Sequence, residues 1–394
     1  MARRAVAPGA KTVLLINELG AGYGHVDPLL RVGSALGVRG YRVVCAVADV
    51  VRPGLLLRRA GFPVLQAPRW PGVRSEKGAG YSDLLVLLGF ESVPALMLMT
   101  GAWQDLFDLV MPDLIIADHS PTAVLTAYKT YPTVLIGTGF ELPPAHLPEF
   151  PILRDDKEPL APQAKLQEVV SEVQKHRGRA EPPSLPALFA AEFRGLRVLP
   201  ELDPYAGLRD EPVIGPMEPL PAYMPSPNSR SVFAYIGDEH PNTRDIAAGL
   251  GAAEARVICH VRGDQGAIGA SLEKSGVTIL ADPADLTEVL PACDAVVGYA
   301  SSGLSHAGLA AGRPQLALPY DLEKDSTAAA LDRLGVSHTL EAGLTASAVA
   351  GAVEALLSDD RAANNAAVCA QSIMGRTPTN ALETVVQACE ALLA

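Results

Sequence analysis

The sequence predicts an α/β protein built as two doubly wound units, each with its own parallel sheet, with a cleft between them. Three observations predict it. The chain has 394 residues, more than the roughly 250–300 that one hydrophobic core usually serves. Short continuous apolar runs alternate with longer helical patterns over residues 12–140 and again from residue 229 onward. Such runs, bounded by turn residues, are the mark of strands buried on both faces of a parallel sheet. Between the two series lies the proline-dense "PVIGPMEPLPAYMPSPNSR", which reads as a linker.

In the first unit, strands are expected at "KTVLLIN", "YRVVCAVA", "FPVLQAP", "DLIIAD" and "TVLIGTG". The first helix follows from "VDPLLRVGSALGVRG", which sets Leu29, Leu30, Val32, Leu36 and Val38 mainly on one stripe and stops at Gly40, a suitable residue just past a helix C-terminus. Over 141–195 the alternation lapses. "ELPPAHLPEFPILRDDKEPLAP" is rich in proline and charge and predicts a mobile insertion, while "PQAKLQEVVSEVQKHRG" predicts an amphipathic helix. "GLRVLPELDPY" then resumes a strand pattern.

In the second unit, strands are expected at "SVFAYIG", "ARVICHV", "VTILAD", "DAVVGYA" and "PQLALPY", with helices near 242–252, 286–291, 303–312, 325–334 and 345–357. The domain boundaries that follow are 1–205 for the first domain, 206–228 for the linker and 229–375 for the second domain. Residues 376–394 form a last amphipathic helix, free to pack back on the first domain.

Apolar residues make up 48% of the chain and charged residues 19%, which suits two packed cores and not a disordered chain. The formal charge of −12 offers no basic face to a nucleic-acid backbone and no polybasic signal to a membrane. An anionic ligand must then be held locally, by backbone N–H groups and helix dipoles. The five cysteines, Cys45, Cys259, Cys293, Cys369 and Cys389, are widely spaced with no CxxC pair, as expected of buried thiols in a reducing cytoplasm and not of a zinc site or a disulfide framework. No signal-length segment opens the chain, and no run of about 18 apolar residues predicts a membrane span. A cytoplasmic protein is expected, its oligomeric state left open, a homodimer included.

Chemistry is expected beyond the carboxyl ends of the strands, where open α/β sheets bind ligands. His25 in "NELGAGYGHVDPLL" is expected just past the first strand, on the turn entering the first helix. It reads as a general base or as a capping or surface histidine. Gly20, Gly22 and Gly24 favour the first, because they let the backbone approach a ligand. Asp118 ends the fourth strand and could orient such a base, or could cap the next helix; Asp113, after Pro112, is the bland competitor. In the second unit, the small-residue loop Ala300–Ser305 between a strand and a helix reads as a phosphate cradle or as an ordinary turn.

Two blocks carry a resemblance. "GYGHVDPLLRVGSALGVRGYRVV" resembles the N-terminal G-x-GH-x-x-P block of the GT-B nucleotide-sugar glycosyltransferases, and "DAVVGYASSGLSHAGLAAGRPQLALPYDLEKDSTAAALDRLGV" resembles their donor-binding block. The similarity covers the whole chain in order and is greatest to the branch of macrolide, antibiotic and plant natural-product enzymes. It implies two Rossmann-like domains facing a cleft and transfer of a sugar, with inversion, from a nucleoside diphosphate donor to a small hydrophobic acceptor. The UDP- or dTDP-linked sugar would be a co-substrate, with no other cofactor and no metal. By position, His25 falls on the family's base and Asp118 on its partner carboxylate, with Gly22 and Gly24 in the acceptor-side loop. Gly237, Tyr299, Ser301, Ser302, Gly303, Leu304 and Ser305 fall on the diphosphate site, and Glu323 and Lys324 on the sugar site.

The chain departs from the pattern where Tyr299 replaces a phosphate-binding histidine, Lys324 a glutamine, Ala307 a glutamate, and Asp282 with Pro283 the tryptophan facing the nucleobase. His306 is a candidate to restore part of the missing charge. Two other functions stay open: a catalytically silent partner of the same fold, favoured by the altered donor loop, and a sugar-nucleotide epimerase, which would need a carboxylate-rich site.

Overall fold

The computed structural model describes residues 9–20, 22–71, 78–238, 240–263, 265–376 and 380–394. The chain divides into two compact units, Met1–Pro200 with Tyr205–Met217 and Thr379–Ala394, and Glu201–Pro204 with Glu218–Pro378. The first holds strands β1 (Thr12–Asn17), β2 (Arg42–Val47), β3 (Val64–Gln66), β4 (Leu114–Asp118), β5 (Thr133–Gly137) and β6 (Phe193–Leu196), all parallel, in the order β3-β2-β1-β4-β5-β6. The second holds β7 (Ser231–Gly237), β8 (Arg256–Arg262), β9 (Thr278–Leu280), β10 (Ala295–Gly298), β11 (Gln315–Ala317) and β12 (Ser337–Thr339), also all parallel, in the order β12-β11-β10-β7-β8-β9. Counted from the first strand of each unit, the two sheets have the same winding.

The central strands are the continuous apolar runs of the sequence. All six residues of β1 and all five of β4 and β5 are buried, as helices on both faces of a parallel sheet require. Two elements depart from the expected plan. Strand β12 is "SHT", half-buried throughout, and has no apolar run to announce it. The expected helix over 376–394 is in fact Ala381–Leu393, preceded by a separate helix Asp360–Met374; residues 377–379 lie outside the described residues.

The last helix completes the first core. Ala381, Val385, Val386, Cys389 and Leu393 pack with Leu29, Val32 and Leu36 of the first helix and with Val13, Leu15 and Leu114 of the sheet. Its outer side is tied by Arg39, whose guanidinium donates to Glu383 at 3.0 Å and lies 3.3 Å from Glu390, and by Lys11, which donates to the carbonyl of Leu393. Among the described residues, no helix is long and apolar enough to cross a membrane.

One buried carboxylate links β1 to the helix after β4. Glu18 is 4% exposed, and its Oε2 accepts from the N–H groups of Thr122 (2.9 Å) and Ala123 (3.3 Å) at the start of helix Pro121–Ala127. Burial outweighs these hydrogen bonds and pushes the carboxyl up from 4.5 to about 7. A pKa raised on folding contributes stability that is present below the unfolded value, near 4.5, and is lost as pH rises through about 7. At about 1.4 kcal/mol per unit this amounts to ~3 kcal/mol. Glu18→Gln cannot ionise, so its melting temperature relative to wild type should rise between pH 4.5 and pH 8. A difference independent of pH would show that Glu18 does not titrate in this range.

Candidate active site

The strand order of the first sheet reverses between β1 and β4, which are neighbours with Asn17 paired to Asp118. Ligands in open α/β sheets gather at such switch points. Four side chains converge there, one from the segment after β1, one from the end of β4, one after β5 and one after β6. His25 Nδ1 lies 2.8 Å from Asp118 Oδ1 and 3.0 Å from Glu141 Oε1. Arg197 Nη2 donates to Asp118 Oδ2 at 2.9 Å and lies 3.8 Å from Glu141 Oε2. Glu141 Oε2 also accepts the N–H of Thr138 at 2.6 Å. The side chains of Asp118, Glu141 and Arg197 are 0%, 1% and 4% exposed, and that of His25 is 15% exposed.

The charges are mutually dependent. Burial alone would lower the pKa of the His25 imidazole, but the pull of Glu141 and Asp118 outweighs it and holds the ring well above 6.5. Burial would likewise raise Glu141, yet the neighbouring His25, His119 and Arg197 keep it below the usual carboxylate range. Ring nitrogens of His25 and His119 and a Glu141 oxygen fall within 4.8 Å of one another. Positive charge in this cluster is carried by imidazole and guanidinium.

Placement differs from expectation in three ways. His25 is the third residue of helix Tyr23–Val38 and not part of a preceding turn, because the helix begins ahead of its apolar stripe. Of the three glycines, Gly20 alone has a positive φ, +83°, and a Cβ there would sit 2.3–2.4 Å from Cδ2 and Nε2 of His25. Gly22 is extended at φ −99°, and a Cβ on Gly24 would meet nothing within 4 Å. The close approach therefore belongs to Gly20 and serves the imidazole itself. Third, Glu141 opens the segment read as a mobile insertion, but residues 138–144 are buried. The carbonyls of Gly139, Leu142 and Pro143 accept hydrogen bonds of 2.7–2.9 Å from Arg209 and Arg194. The competitor Asp113 sits at the opposite end of β4, where it accepts the N–H of Thr12 at 2.6 Å.

Glu141, Arg197 and His119 were not singled out in the sequence. Arg197 carried a signal, a charged residue inside the apolar run "GLRVLP", since a buried charge demands a partner. Glu141 carried none, because proline and charge around it suggested a surface loop. His119 follows Asp118 with φ +44°, a left-handed conformation uncommon outside glycine. Its ring lies 5.4 Å from that of His25 and 6.4 Å from that of Tyr81.

In the second sheet the equivalent switch point lies between β7 and β10. Here Tyr299 Oη accepts the N–H of Gly237 and donates to the Gly237 carbonyl, both at 2.9 Å, so two expected phosphate-binding groups are bonded to each other. Tyr299 is buried under the ring of His240 at 4.9 Å. The next residue, Ala300, has φ +56°, the same device as His119. Ser301 stands at the N-cap position of helix Ser302–Ala311 with no capping bond from its side chain, and Ser301, Ser302 and Gly303 keep some exposure. Leu304 and Ser305 are buried, so their side chains face the core and not a ligand at the loop surface. His306 is 2% exposed, with Nε2 3.5 Å from Ser302 Oγ. Lys324 folds back on Asp321 at 2.6 Å and over the Tyr320 ring at 4.6 Å. Burial opposes its charge but is outweighed by Glu323 and Asp321, and its pKa is raised. Glu323 is half-buried, while Asp282 and Pro283 are exposed and Ala307 is buried.

No protein-family model and no curated protein matches the sequence, but solved structures match the fold. CalG4, the calicheamicin glycosyltransferase, superposes with a TM-score of 0.70 at 19% identity over 98% of each chain. The glycosyltransferase SnogD from Streptomyces nogalater gives 0.59 at 19% identity, over 98% of this chain and 100% of that one. The glycosyltransferase VinC, in complex with dTDP, gives 0.63 at 16% identity, over 96% of this chain and all of the other. Two Rossmann-like sheets in series, spanning nearly the full length of each of these proteins, give this chain the GT-B fold.

Proposed function

We propose that this chain is an inverting glycosyltransferase that moves a sugar from a UDP- or dTDP-linked donor to a hydroxyl of a small hydrophobic acceptor in the cytoplasm. The observation that carries the proposal is the tie between His25 Nδ1 and Asp118 at the switch point of the first sheet. With Nδ1 engaged, Nε2 is the nitrogen left to take a proton, on the side where Gly20 presents no side chain. The acceptor O–H gives its proton to Nε2 while its oxygen bonds the anomeric carbon. The bond from that carbon to the diphosphate breaks on the opposite face, and the electron pair leaves with the diphosphate. Asp118 fixes the tautomer and stabilises the imidazolium. N–H groups at the start of helix Ser302–Ala311 and its dipole would meet the diphosphate charge, so the step as written uses no metal. The dTDP held by VinC supports a nucleotide-linked donor.

The bond between Tyr299 and Gly237 favours a second reading, a silent partner that holds no donor. Thermal shift with UDP and dTDP separates the two, since a ligand at 100 times its Kd stabilises the fold by about 2.7 kcal/mol. The enzyme reading expects such a shift, with hydrogen-exchange protection over Ser301–Ser305. No shift with any nucleoside diphosphate would favour the silent partner.

Because His25 balances two buried carboxylates, its loss should cost stability as well as rate, contrary to the small folding effect expected of an exposed turn residue. His25→Asn, whose amide can still donate to a carboxylate, should fold and lower kcat by on the order of 10²–10⁴, with Asp118→Asn giving a smaller, parallel loss. Wild-type turnover by a folded His25→Asn protein would overturn the mechanism.

Gly20→Ala should lower kcat and depress the melting temperature, since the new Cβ meets both the imidazole and an unfavourable φ. Unaltered kinetics would mean that the ring position is not needed.

A further inference from the structure

We propose that Glu141 is a second positioning carboxylate for His25, gripping the same ring nitrogen as Asp118 and completing, with Arg197, a four-residue acid–base centre. This rests on His25 being the base, and it extends the pair to a balanced cluster. Nδ1 is hydrogen-bonded to Asp118 Oδ1 at 2.8 Å and lies 3.0 Å from Glu141 Oε1, so the ring is restrained from two directions. Arg197 bridges the far oxygens of both acids.

The formal count favours one protonation state. With both acids ionised and His119 neutral, two carboxylates and one guanidinium leave a buried charge of −1 when the His25 ring is neutral and none when it is imidazolium. Burial and Glu141 raise the pKa of Asp118, and the count holds while its charge is kept by His25 and Arg197. An unbalanced buried charge is costly, so the cluster stabilises the state formed when the base has taken its proton. The raised pKa of His25 agrees with this count. The groups facing the ring are Asp118 and His119 after β4, Glu141 after β5 and Arg197 after β6, with the Tyr81 phenol against His119. Glu18 is turned to helix Pro121–Ala127.

The plain alternative is that Glu141 only closes its own turn by accepting the Thr138 N–H. Glu141→Gln separates the two roles, because the amide oxygen can keep that bond while the charge is gone. The His25 ring-proton titration is followed by NMR with EDTA present and no substrate, and the signal is assigned by its absence in His25→Asn. A midpoint above 6.5 is expected in wild type. In Glu141→Gln it should fall by about 1–3 pH units, the reach of one nearby opposite charge, and the acid limb of the kcat/KM profile should move to lower pH with it.

A folded Glu141→Gln protein with an unchanged midpoint would overturn the proposal. If that variant does not fold, Glu141→Asp, which withdraws the charge by one methylene, takes its place: a lowered midpoint supports the role and an unchanged one overturns it. Failure here leaves the rate loss of His25→Asn standing, whereas wild-type turnover by His25→Asn sinks the role of His25 as the base and leaves the titration intact.

Discussion

Two carboxylates buried side by side must be neutralised, and the first unit is arranged around how that is done. Asp118 and Glu141 share His25 on one side and Arg197 on the other. Neither cation suffices alone, and removing one partner of a buried charge set is far more costly than never having built it. Asp118 ends β4, and His25, Glu141 and Arg197 lie in the segments that follow β1, β5 and β6, so all four gather beyond the carboxyl ends of neighbouring parallel strands. Gly20 is a further consequence, since the backbone beside the imidazole has no room for a side chain.

The two sheets were legible where the physics is local. A strand buried on both faces has to be apolar at every position, and "VLLI" or "LIIA" admits little else. Strand β12 was not legible, because a half-buried edge strand of three residues leaves no such pattern. The site was legible to the same extent. Asp118 ends β4 and His25 opens the helix that follows β1, places that the sequence pattern itself marks out. Glu141 stands four residues past β5 in a proline-rich stretch whose composition suggests solvent. Its burial follows from partners 56 and 116 positions away along the chain, Arg197 and His25, and no local pattern records that.

The second sheet repeats the geometry of the first with different chemistry. In each unit the fourth strand leads to a polar residue, Asp118 or Tyr299, then a left-handed non-glycine residue, His119 or Ala300, then a serine preceding a helix. In the first unit the polar residue is charged and turned to an imidazole. In the second it is a phenol whose oxygen is satisfied at both ends by one glycine.

The return of helix Ala381–Leu393 to the first core makes the second unit an insertion within the first. During synthesis, domains fold largely from the N-terminus onward, but this first unit lacks part of its hydrophobic core until residues 381–393 have left the ribosome. The inserted unit has all its strands available sooner. Until residues 381–393 emerge, Leu29, Val32 and Leu36 lack the side chains of Val385, Val386, Cys389 and Leu393 that pack in the same core.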